Sequence, residues 1–198
     1  MFAACLDTCV LYPSLQRDFL LSLAVEGLYR PVWSGAVLAE LENVERTKLV
    51  ERMGLDPAEA DRRASRLVET MRAAFQGAEV QGWEALEGVF GLPDPDDEHV
   101  VAAAVMSGAG AIVTDNWKDF PPDRLPQGIE SLSPQEFAAN TVAVDLDRAW
   151  TAVAHVVARR CNPPLSPDAL LDILASRYQM KDAVDLLRQA DRLGTRPR

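Results

Sequence analysis

Four groups of side chains have the residue types needed for a shared chemical site, although they lie far apart in the chain. They contain carboxylates and one amide, at Asp7, Glu40, Asp97 and the cluster Asp115, Asn116 and Asp119. Carboxylate oxygens that lie close together repel each other strongly unless a hard divalent cation or a shared proton compensates. Because the set offers oxygen ligands without His or Cys, it favours magnesium or manganese. The residue types therefore indicate a divalent-metal site, provided that the fold brings these positions together.

Most of these positions also have a purely structural explanation. A lone Asp7 can end a strand or cap a turn, and Asp97 lies at a predicted helix N-terminus, where the helix dipole favours anions. Glu40 is harder to explain as a solvated side chain, because helical spacing from Val37 and Val44 puts its carboxylate at the border of an apolar stripe. The joint occurrence of these acids favours a common site.

The pattern of apolar residues predicts the elements that position these side chains. Short apolar runs predict strands at 2–6, 30–33, 78–81, 111–114 and 128–132. Helical spacing and capping residues predict helices at 15–26, 35–53, 57–75 and 98–107, with a further helix opened by Ser133. This alternation predicts an α/β fold with a parallel sheet flanked by helices. Functional groups gather at the carboxyl ends of such strands, where Asp7 and Asp115 lie.

The sequence changes character after Asn140. No further strand pattern follows, and three amphipathic helices are predicted at 145–160, 166–178 and 180–193, with a Pro-containing break at 162–165 between the first two. This change predicts an α/β domain over residues 1–138 and a small all-helical C-terminal extension over residues 139–198.

Four motifs in the first part of the chain resemble those of PIN-domain ribonucleases, and more specifically the VapC-type toxins of bacterial toxin–antitoxin pairs. They are LDTCVL at 6–11, WS at 33–34 followed by LAEL at 38–41, DPDDEHVVAAA at 94–104 and IVTDNWKDFP at 112–121. The resemblance covers residues 1–138 and implies a PIN-like fold, with the helical region resembling a C-terminal extension of longer VapC-like proteins. Its motifs occur in the expected order and in suitable strand and helix contexts.

The resemblance assigns the family's first three acids to residues of this chain. The first acid matches Asp7, the second matches Glu40, and the third matches Asp97, with Asp96 as the alternative register. The resemblance implies that Asp7 and Asp97 hold one or two Mg²⁺ or Mn²⁺ ions. Glu40 is then expected to bind a second ion or to position the attacking water.

The fourth position departs from the simplest family pattern. Family members often have an aspartate two residues after the threonine, whereas Asn116 stands two residues after Thr114 here. We favour Asn116 and Asp119 as the matching residues and keep Asp115 in reserve. Thr114 itself is expected either to contact a phosphate oxygen or to serve only the local structure.

The resemblance implies that the protein is a metal-dependent endoribonuclease that hydrolyses RNA phosphodiester bonds. It further implies a cognate VapB-like antitoxin that covers the active-site groove, and either a homodimer or a toxin–antitoxin hetero-oligomer. The alternative is a catalytically weak PIN fold that serves as an RNA- or protein-binding module, an interpretation that Asn116 keeps open. A haloacid-dehalogenase-like phosphatase fits less well, because such enzymes need a second aspartate at the position of Cys9.

Charge and composition constrain the partners. The net charge of −10 repels nucleic acid and suits a basic antitoxin segment, so RNA binding needs local positive or aromatic surface. Residues that could provide it are Arg62, Arg63, Arg66, Trp117, Lys118, Arg159 and Arg160. The helical arginines are also explained as a solvated face that balances nearby acids.

The sequence shows no signal of secretion or membrane insertion. The first residues lack a basic region, and Asp7 interrupts the apolar stretch. No apolar run approaches the roughly 18 residues that a membrane span requires. Cys5, Cys9 and Cys161 lack a zinc-site spacing and are expected to be free thiols. These features predict a cytoplasmic protein.

Overall fold

The computed structural model describes residues 1–160 and 163–192. The strands are β1 (Ala3–Leu6), β2 (Arg30–Ser34), β3 (Glu79–Val80), β4 (Ala111–Val113) and β5 (Glu130–Leu132). The first helices are α1 (Thr8–Leu11), α2 (Ser14–Val25), α3 (Gly35–Glu51), α4 (Pro57–Ala74) and α5 (Glu98–Ser107). The later helices are α6 (Pro134–Val144), α7 (Leu146–Arg159), α8 (Pro167–Arg177) and α9 (Lys181–Arg192). Two short 3₁₀ helices cover Trp83–Leu86 and Pro95–Asp97.

The strands form one parallel sheet with β1 at its centre, in the order β3-β2-β1-β4-β5. In the parallel β1–β4 pair Cys5 lies opposite Ile112, and in the β2–β3 pair Trp33 lies opposite Glu79. All four residues of β1 are buried, which explains its continuous apolar sequence, because helices cover both faces of such a sheet. The predicted α/β class and parallel sheet are confirmed.

Side-chain caps stand at the starts of several of the predicted helices. The Ser34 hydroxyl accepts a hydrogen bond from the backbone N–H of Val37 at the start of α3. Asp56 caps α4 in the same way, and Ser133 caps α6. Gly108 ends α5 with φ of 66°, in the left-handed region that glycine adopts without strain. Local sequence thus determines where these helices begin and end.

The observed elements differ from the predicted ones in several places. The short helix α1 begins directly after Asp7 and spans four residues, fewer than a periodic pattern needs to be recognised. The predicted strand at 128–132 is reduced to β5, and Gly128 has φ of 90° in the preceding turn. The helix predicted to end at Phe75 ends one residue earlier.

The chain divides into two compact units. The sheet unit contains residues 3–12 and 31–131, and the helical unit contains residues 1–2, 13–30 and the described chain from Leu132 onward. The predicted division at residue 138 stays a prediction. The compact units divide the chain differently, because α2 belongs with the C-terminal helices.

Contacts within the helical unit explain this grouping. The Arg160 guanidinium binds the Asp18 carboxylate of α2 at 2.5 Å, and Arg159 donates to the Ser22 hydroxyl at 2.6 Å. These arginines are therefore engaged by α2, which supports a structural role for them. Predictions for Cys161, for the start of the 162–165 break and for Leu193 lie outside the described residues. Along 1–160 and 163–192, no helix is both long and apolar enough to cross a membrane.

A buried glutamate anchors the loop that leads to α5. Glu98 is only 3% exposed, and its carboxylate accepts hydrogen bonds from the backbone N–H groups of Phe90, Gly91 and Leu92 at 3.2, 2.6 and 3.2 Å. Desolvation acts to raise the Glu98 pKa, but these backbone donors outweigh it and lower the pKa below its ordinary value. The loop is thereby held against the start of the helix that follows Asp97.

We expect Glu98→Ala to destabilise the protein. The substitution leaves three backbone donors near the buried carboxylate site without their acceptor, which costs about 2–4 kcal/mol of unfolding free energy. Urea unfolding followed by circular dichroism measures the change, with the exposed Glu87→Ala as the control. Equal stability of the two variants would contradict the anchoring role of Glu98.

Candidate functional site

Asp7 lies directly after β1, where the edge of the sheet brings it next to the end of β4. Its backbone N–H binds the carbonyl of Val113 at 3.1 Å. Its carboxylate is almost fully buried, and one oxygen accepts hydrogen bonds from the Thr114 hydroxyl at 2.7 Å and the Cys9 thiol at 3.1 Å. The parallel pairing of β1 and β4 thus determines the position of this acid.

Cys9 is a partly buried thiol beside Asp7. Desolvation and the Asp7 charge raise its pKa to about 12. Buried Cys5 has a raised pKa for the same two reasons. Both cysteines are free thiols, as expected, but Cys9 also donates to a candidate site residue rather than only filling space.

Asp97 occupies the last position of the 3₁₀ turn before α5. One of its carboxylate oxygens, Oδ2, is buried and has no hydrogen-bond partner among the residues that the structure describes. Burial raises the pKa of Asp97, and the charges of Asp7, Asp94 and Asp119 raise it further, to about 7. The fold therefore brings Asp97 into the electrostatic field of two other predicted site residues.

This arrangement fits a hard divalent cation. The oxygen donors of Asp7 and Asp97 suit Mg²⁺ or Mn²⁺, and the partnerless Oδ2 of Asp97 is a buried acceptor that a cation would satisfy. Over residues 1–160 and 163–192, no three His, Cys, Asp or Glu side chains form a complete metal-binding group. An ion bound by the two aspartates would therefore take its other ligands from water or substrate phosphate, as Mg²⁺ commonly does.

Glu40 is held by donors from two other elements. Its Oε2 accepts a hydrogen bond from the Thr8 hydroxyl at 2.6 Å, and its Oε1 lies 3.0 Å from Nε2 of His99. Partial burial acts to raise the Glu40 pKa, but the hydrogen bonds from His99 and Thr8 outweigh it and lower the pKa. Glu40 therefore borders the core as its sequence position suggests, and its charged form is favoured.

His99 is the polar residue whose contacts sequence reasoning missed. Its ring is 5% exposed and also contacts the Ser34 hydroxyl at 2.9 Å through Nδ1. The available signal was its place at the polar start of an otherwise apolar helix, two residues after Asp97. That signal does not identify Glu40 as the partner, because the two residues are 59 positions apart.

The turn after β4 carries the candidates for the fourth position. Asp115 and Asn116 are exposed, whereas Asp119 is half-buried, and its backbone N–H binds the carbonyl of Asn116 at 3.0 Å. The Asn116 backbone N–H in turn binds the Thr114 hydroxyl at 2.9 Å. Asp119 acts electrostatically on Asp97, and Asn116 lines the adjoining groove.

The alternative register at Asp96 places a carboxylate in solvent. Asp96 is exposed, and its backbone N–H binds the Asp94 carboxylate at 3.0 Å, so Asp94 caps the 3₁₀ turn. These contacts support a structural role for Asp94. The partial burial of Asp97 makes it the better candidate of the two registers.

A groove of about 690 Å³ adjoins these acids in the sheet unit. Asp7, Asp97 and Asn116 line it together with Lys48 and Arg52 of the α3 end. Lys48 forms an ion pair with Glu45 and lies 5.1 Å from the centre of the Tyr12 ring. Acidic groups and cationic groups therefore share one groove, an arrangement that suits a phosphate backbone held partly through cations.

Two of the arginines predicted on α4 are engaged locally. Arg62 and Arg63 both bind the Glu59 carboxylate, at 2.7 Å each, which supports their interpretation as a charge-balanced helix face. Arg66 is exposed on the same helix. The Lys118 ammonium lies 5.7 Å from the centre of the Trp117 ring on the turn after β4.

Comparison with known proteins gives two family matches. The PIN domain model matches residues 3–118, which is more than half of the chain, and the VapC50 C-terminal domain model matches residues 134–189. The chain belongs to the PIN-domain family. The predicted family resemblance is confirmed. The second match begins at residue 134, before the predicted boundary, and covers most of the predicted helical extension, 139–198.

A curated relative supports the same relationship. The PIN-domain chain is 37% identical over 82 residues to "Putative ribonuclease VapC50" of Mycobacterium tuberculosis. The match covers 41% of this chain and 48% of the relative, so the aligned region spans about half of the relative's length. No solved structure matches the chain.

The raised pKa of Asp97 makes the stability of the PIN domain pH-dependent. Between the ordinary pKa of 3.8 and the folded value of about 7, the folded state retains a proton that the unfolded chain has lost. Stability therefore falls as pH rises through this window. Asp97→Asn removes the charge, so we expect its melting temperature near pH 8, without divalent ions, to exceed that of the wild type.

The expected gain is about 2–4 °C, because solvent screens a partly exposed carboxylate. Thermal unfolding in EDTA, followed by circular dichroism near pH 4 and near pH 8, measures it. The exposed Asp96→Asn is the matched control and should show no comparable gain. Identical melting of Asp97→Asn and wild type near pH 8 would contradict the raised pKa.

Proposed function

We propose that this PIN-domain protein is a Mg²⁺- or Mn²⁺-dependent endoribonuclease that acts as the toxin of a type II toxin–antitoxin pair. The observation that carries the proposal is the partnerless buried oxygen of Asp97, in the electrostatic field of Asp7. The family membership and the resemblance to a curated protein named as a ribonuclease support the same reaction class.

We assign Asp7 and Asp97 to hold the cation, directly or through water. Thr114 and Cys9 donate to Asp7 and keep its carboxylate oriented, so little rearrangement is needed for it to act as a ligand. A divalent cation, when bound, lowers the pKa of an associated water and neutralises charge that develops on the phosphate. The two carboxylates would supply the negative charge that retains it.

Glu40 is assigned to orient the attacking water. Its lowered pKa keeps it a carboxylate near neutral pH, so it can accept a hydrogen bond from that water. Its remaining hydrogen-bonding capacity is available because Thr8 and His99 occupy only one site on each oxygen. Binding of the second ion is the other role that the resemblance implies for Glu40.

Asn116 and Asp119 are assigned to the fourth position, on the turn after β4. The Asn116 amide can donate to a substrate phosphate, and it lines the groove. The half-buried Asp119 adds negative charge near Asp97, which strengthens attraction for a cation. Asp115, also exposed to the groove, is the reserve candidate.

The partners follow from the proposed activity. We propose an RNA substrate, a VapB-like antitoxin, and assembly as a homodimer or a toxin–antitoxin hetero-oligomer, with residues 1–138 as the nuclease domain and 139–198 as the helical extension. The net charge of −10 favours a basic antitoxin segment. An RNA substrate and the free thiols of Cys5 and Cys9 are both consistent with the cytoplasm.

The central test is cleavage of an RNA pool that contains transfer, ribosomal and messenger RNA. We expect discrete cuts by the wild type with Mg²⁺ or Mn²⁺ and none with EDTA, read by sequencing the product ends. Asp97→Asn should lose at least about a hundredfold in rate, because the substitution removes a half-buried acidic group that is assigned to hold the cation. The neighbouring Asp96→Asn should retain activity, since its side chain is exposed.

The controls distinguish loss of chemistry from loss of folding. Circular dichroism must show that all the variants are folded. A folded wild type that binds Mn²⁺ but cuts none of these RNAs would contradict the proposed endoribonuclease and favour the binding-module alternative. Equal activity of Asp97→Asn and wild type would contradict the assignment of Asp97.

Trp117 is the aromatic residue expected to contact RNA. Its side chain is 65% exposed and follows Asn116 on the turn beside the groove. Since stacking of one base on an aromatic ring contributes about 1–3 kcal/mol, Trp117→Ala should raise KM by roughly 5- to 160-fold. The value of kcat should change little. Trp117→Phe should retain most of the affinity, and an unchanged KM for Trp117→Ala would contradict the stacking role.

A further inference from the structure

We propose that His99 is a positioning residue that holds the Glu40 carboxylate through its Nε2–H group, in a ring state that Ser34 determines. The inference rests on the proposed function for its catalytic consequence, because Glu40 is assigned there to orient water. The arrangement itself is argued from the hydrogen bonds, burial and chain positions of Ser34, His99, Glu40 and Thr8.

Ser34 determines which ring nitrogen of His99 carries the proton. Its side chain is completely buried, and its oxygen already accepts the N–H of Val37 as the cap of α3. Within the described chain, the acceptor that lies beside the Ser34 hydroxyl is Nδ1 of His99, 2.9 Å from the Ser34 oxygen. If Nδ1 carried a proton instead, the Ser34 hydroxyl proton would be buried without an acceptor, which is costly.

The Ser34 hydroxyl therefore donates to Nδ1, and the His99 ring carries its proton on Nε2. That nitrogen lies 3.0 Å from Oε1 of Glu40, so it donates to the carboxylate. The ring cannot turn freely, because it is 5% exposed and Trp83 packs against it edge-on with the ring centres 5.9 Å apart. A buried donor of fixed orientation thus points at a partly exposed acceptor.

Glu40 needs such support because its side chain is 45% exposed. A glutamate on a helix surface otherwise samples several rotamers, and ordering it costs conformational entropy. Here Thr8 binds one oxygen and His99 binds the other, so both ends of the carboxylate are held before substrate arrives. Pre-ordering of this kind is what a residue that orients a reacting water requires.

The two donors also fix the position of Glu40 relative to Asp7 and Asp97. Thr8 directly follows Asp7, and His99 lies two residues after Asp97 at the start of α5. Each hydrogen bond to Glu40 therefore comes from a close chain neighbour of one assigned metal-holding aspartate. The spacing of Glu40 from Asp7 and from Asp97 is fixed by short, partly buried backbone segments instead of by flexible side chains alone.

A matched pair of substitutions separates this role from simple core filling. In His99→Gln the side-chain amide reaches the place of Nε2 and can still donate to Glu40. In His99→Asn the shorter amide reaches only the place of Nδ1, near Ser34. Both variants remove the imidazole and bury a similar amide, so a purely structural role predicts equal effects.

The measurements use the full chain. Ring ¹⁵N chemical shifts of wild-type His99 should show the Nε2–H form. A ¹³C NMR titration of the Glu40 carboxyl group should show that its pKa remains lowered in His99→Gln and rises in His99→Asn. In RNA cleavage, His99→Gln should remain within about threefold of the wild-type kcat, whereas His99→Asn should lose at least about tenfold with KM unchanged. Melting temperatures should fall by similar amounts in the two variants.

Other results would overturn the inference. An Nδ1–H form in the wild type, or equal Glu40 titration in the two variants, contradicts the positioning role. Equal kcat values in folded variants contradict its catalytic consequence. If the wild type cuts no RNA, the proposed function fails, and the ring ¹⁵N and Glu40 ¹³C measurements still decide separately whether His99 holds Glu40.

Discussion

Electrostatic repulsion between carboxylates at one edge of the sheet is the constraint on which the rest of the site depends. The parallel pairing of β1 with β4 puts Asp7 beside Thr114, and the turn before α5 brings Asp97 close enough for the two charges to interact. Without a cation, partial burial and, to a lesser extent, this repulsion raise the pKa of Asp97. The fold thus maintains an unfavourable charge distribution that divalent-ion binding would relieve.

Hydrogen bonds from neighbouring side chains fix two of the site acids, Asp7 and Glu40, separately. Thr114 and Cys9 donate to Asp7, while Thr8 and His99 donate to Glu40. Glu98 contributes indirectly, because its carboxylate binds the preceding loop to the start of α5, next to Asp97. Hydrogen bonds to charged groups are among the stronger polar interactions in proteins, so a few of them suffice to hold a site of this size.

The proposed RNA substrate requires that an acidic protein bind a polyanion. The groove contains positive as well as negative side chains, since Lys48 and Arg52 line it together with the acids. Several basic side chains are paired with acids: Arg62 and Arg63 bind Glu59, and Lys48 itself forms an ion pair with Glu45. Under the proposed function, a bound divalent cation would therefore add positive charge at the groove.

The sequence by itself determined the α/β class, the helix caps and the positions of the acids, because these depend on patterns within short segments. Only the tertiary structure decided that His99 joins Ser34 to Glu40, across 65 and 59 positions. It likewise decided that Asp97, and not Asp96, has a buried partnerless oxygen, and that α2 groups with the C-terminal helices. Such features depend on which distant segments meet, and local hydrophobic periodicity carries no information about the partner of a given polar atom.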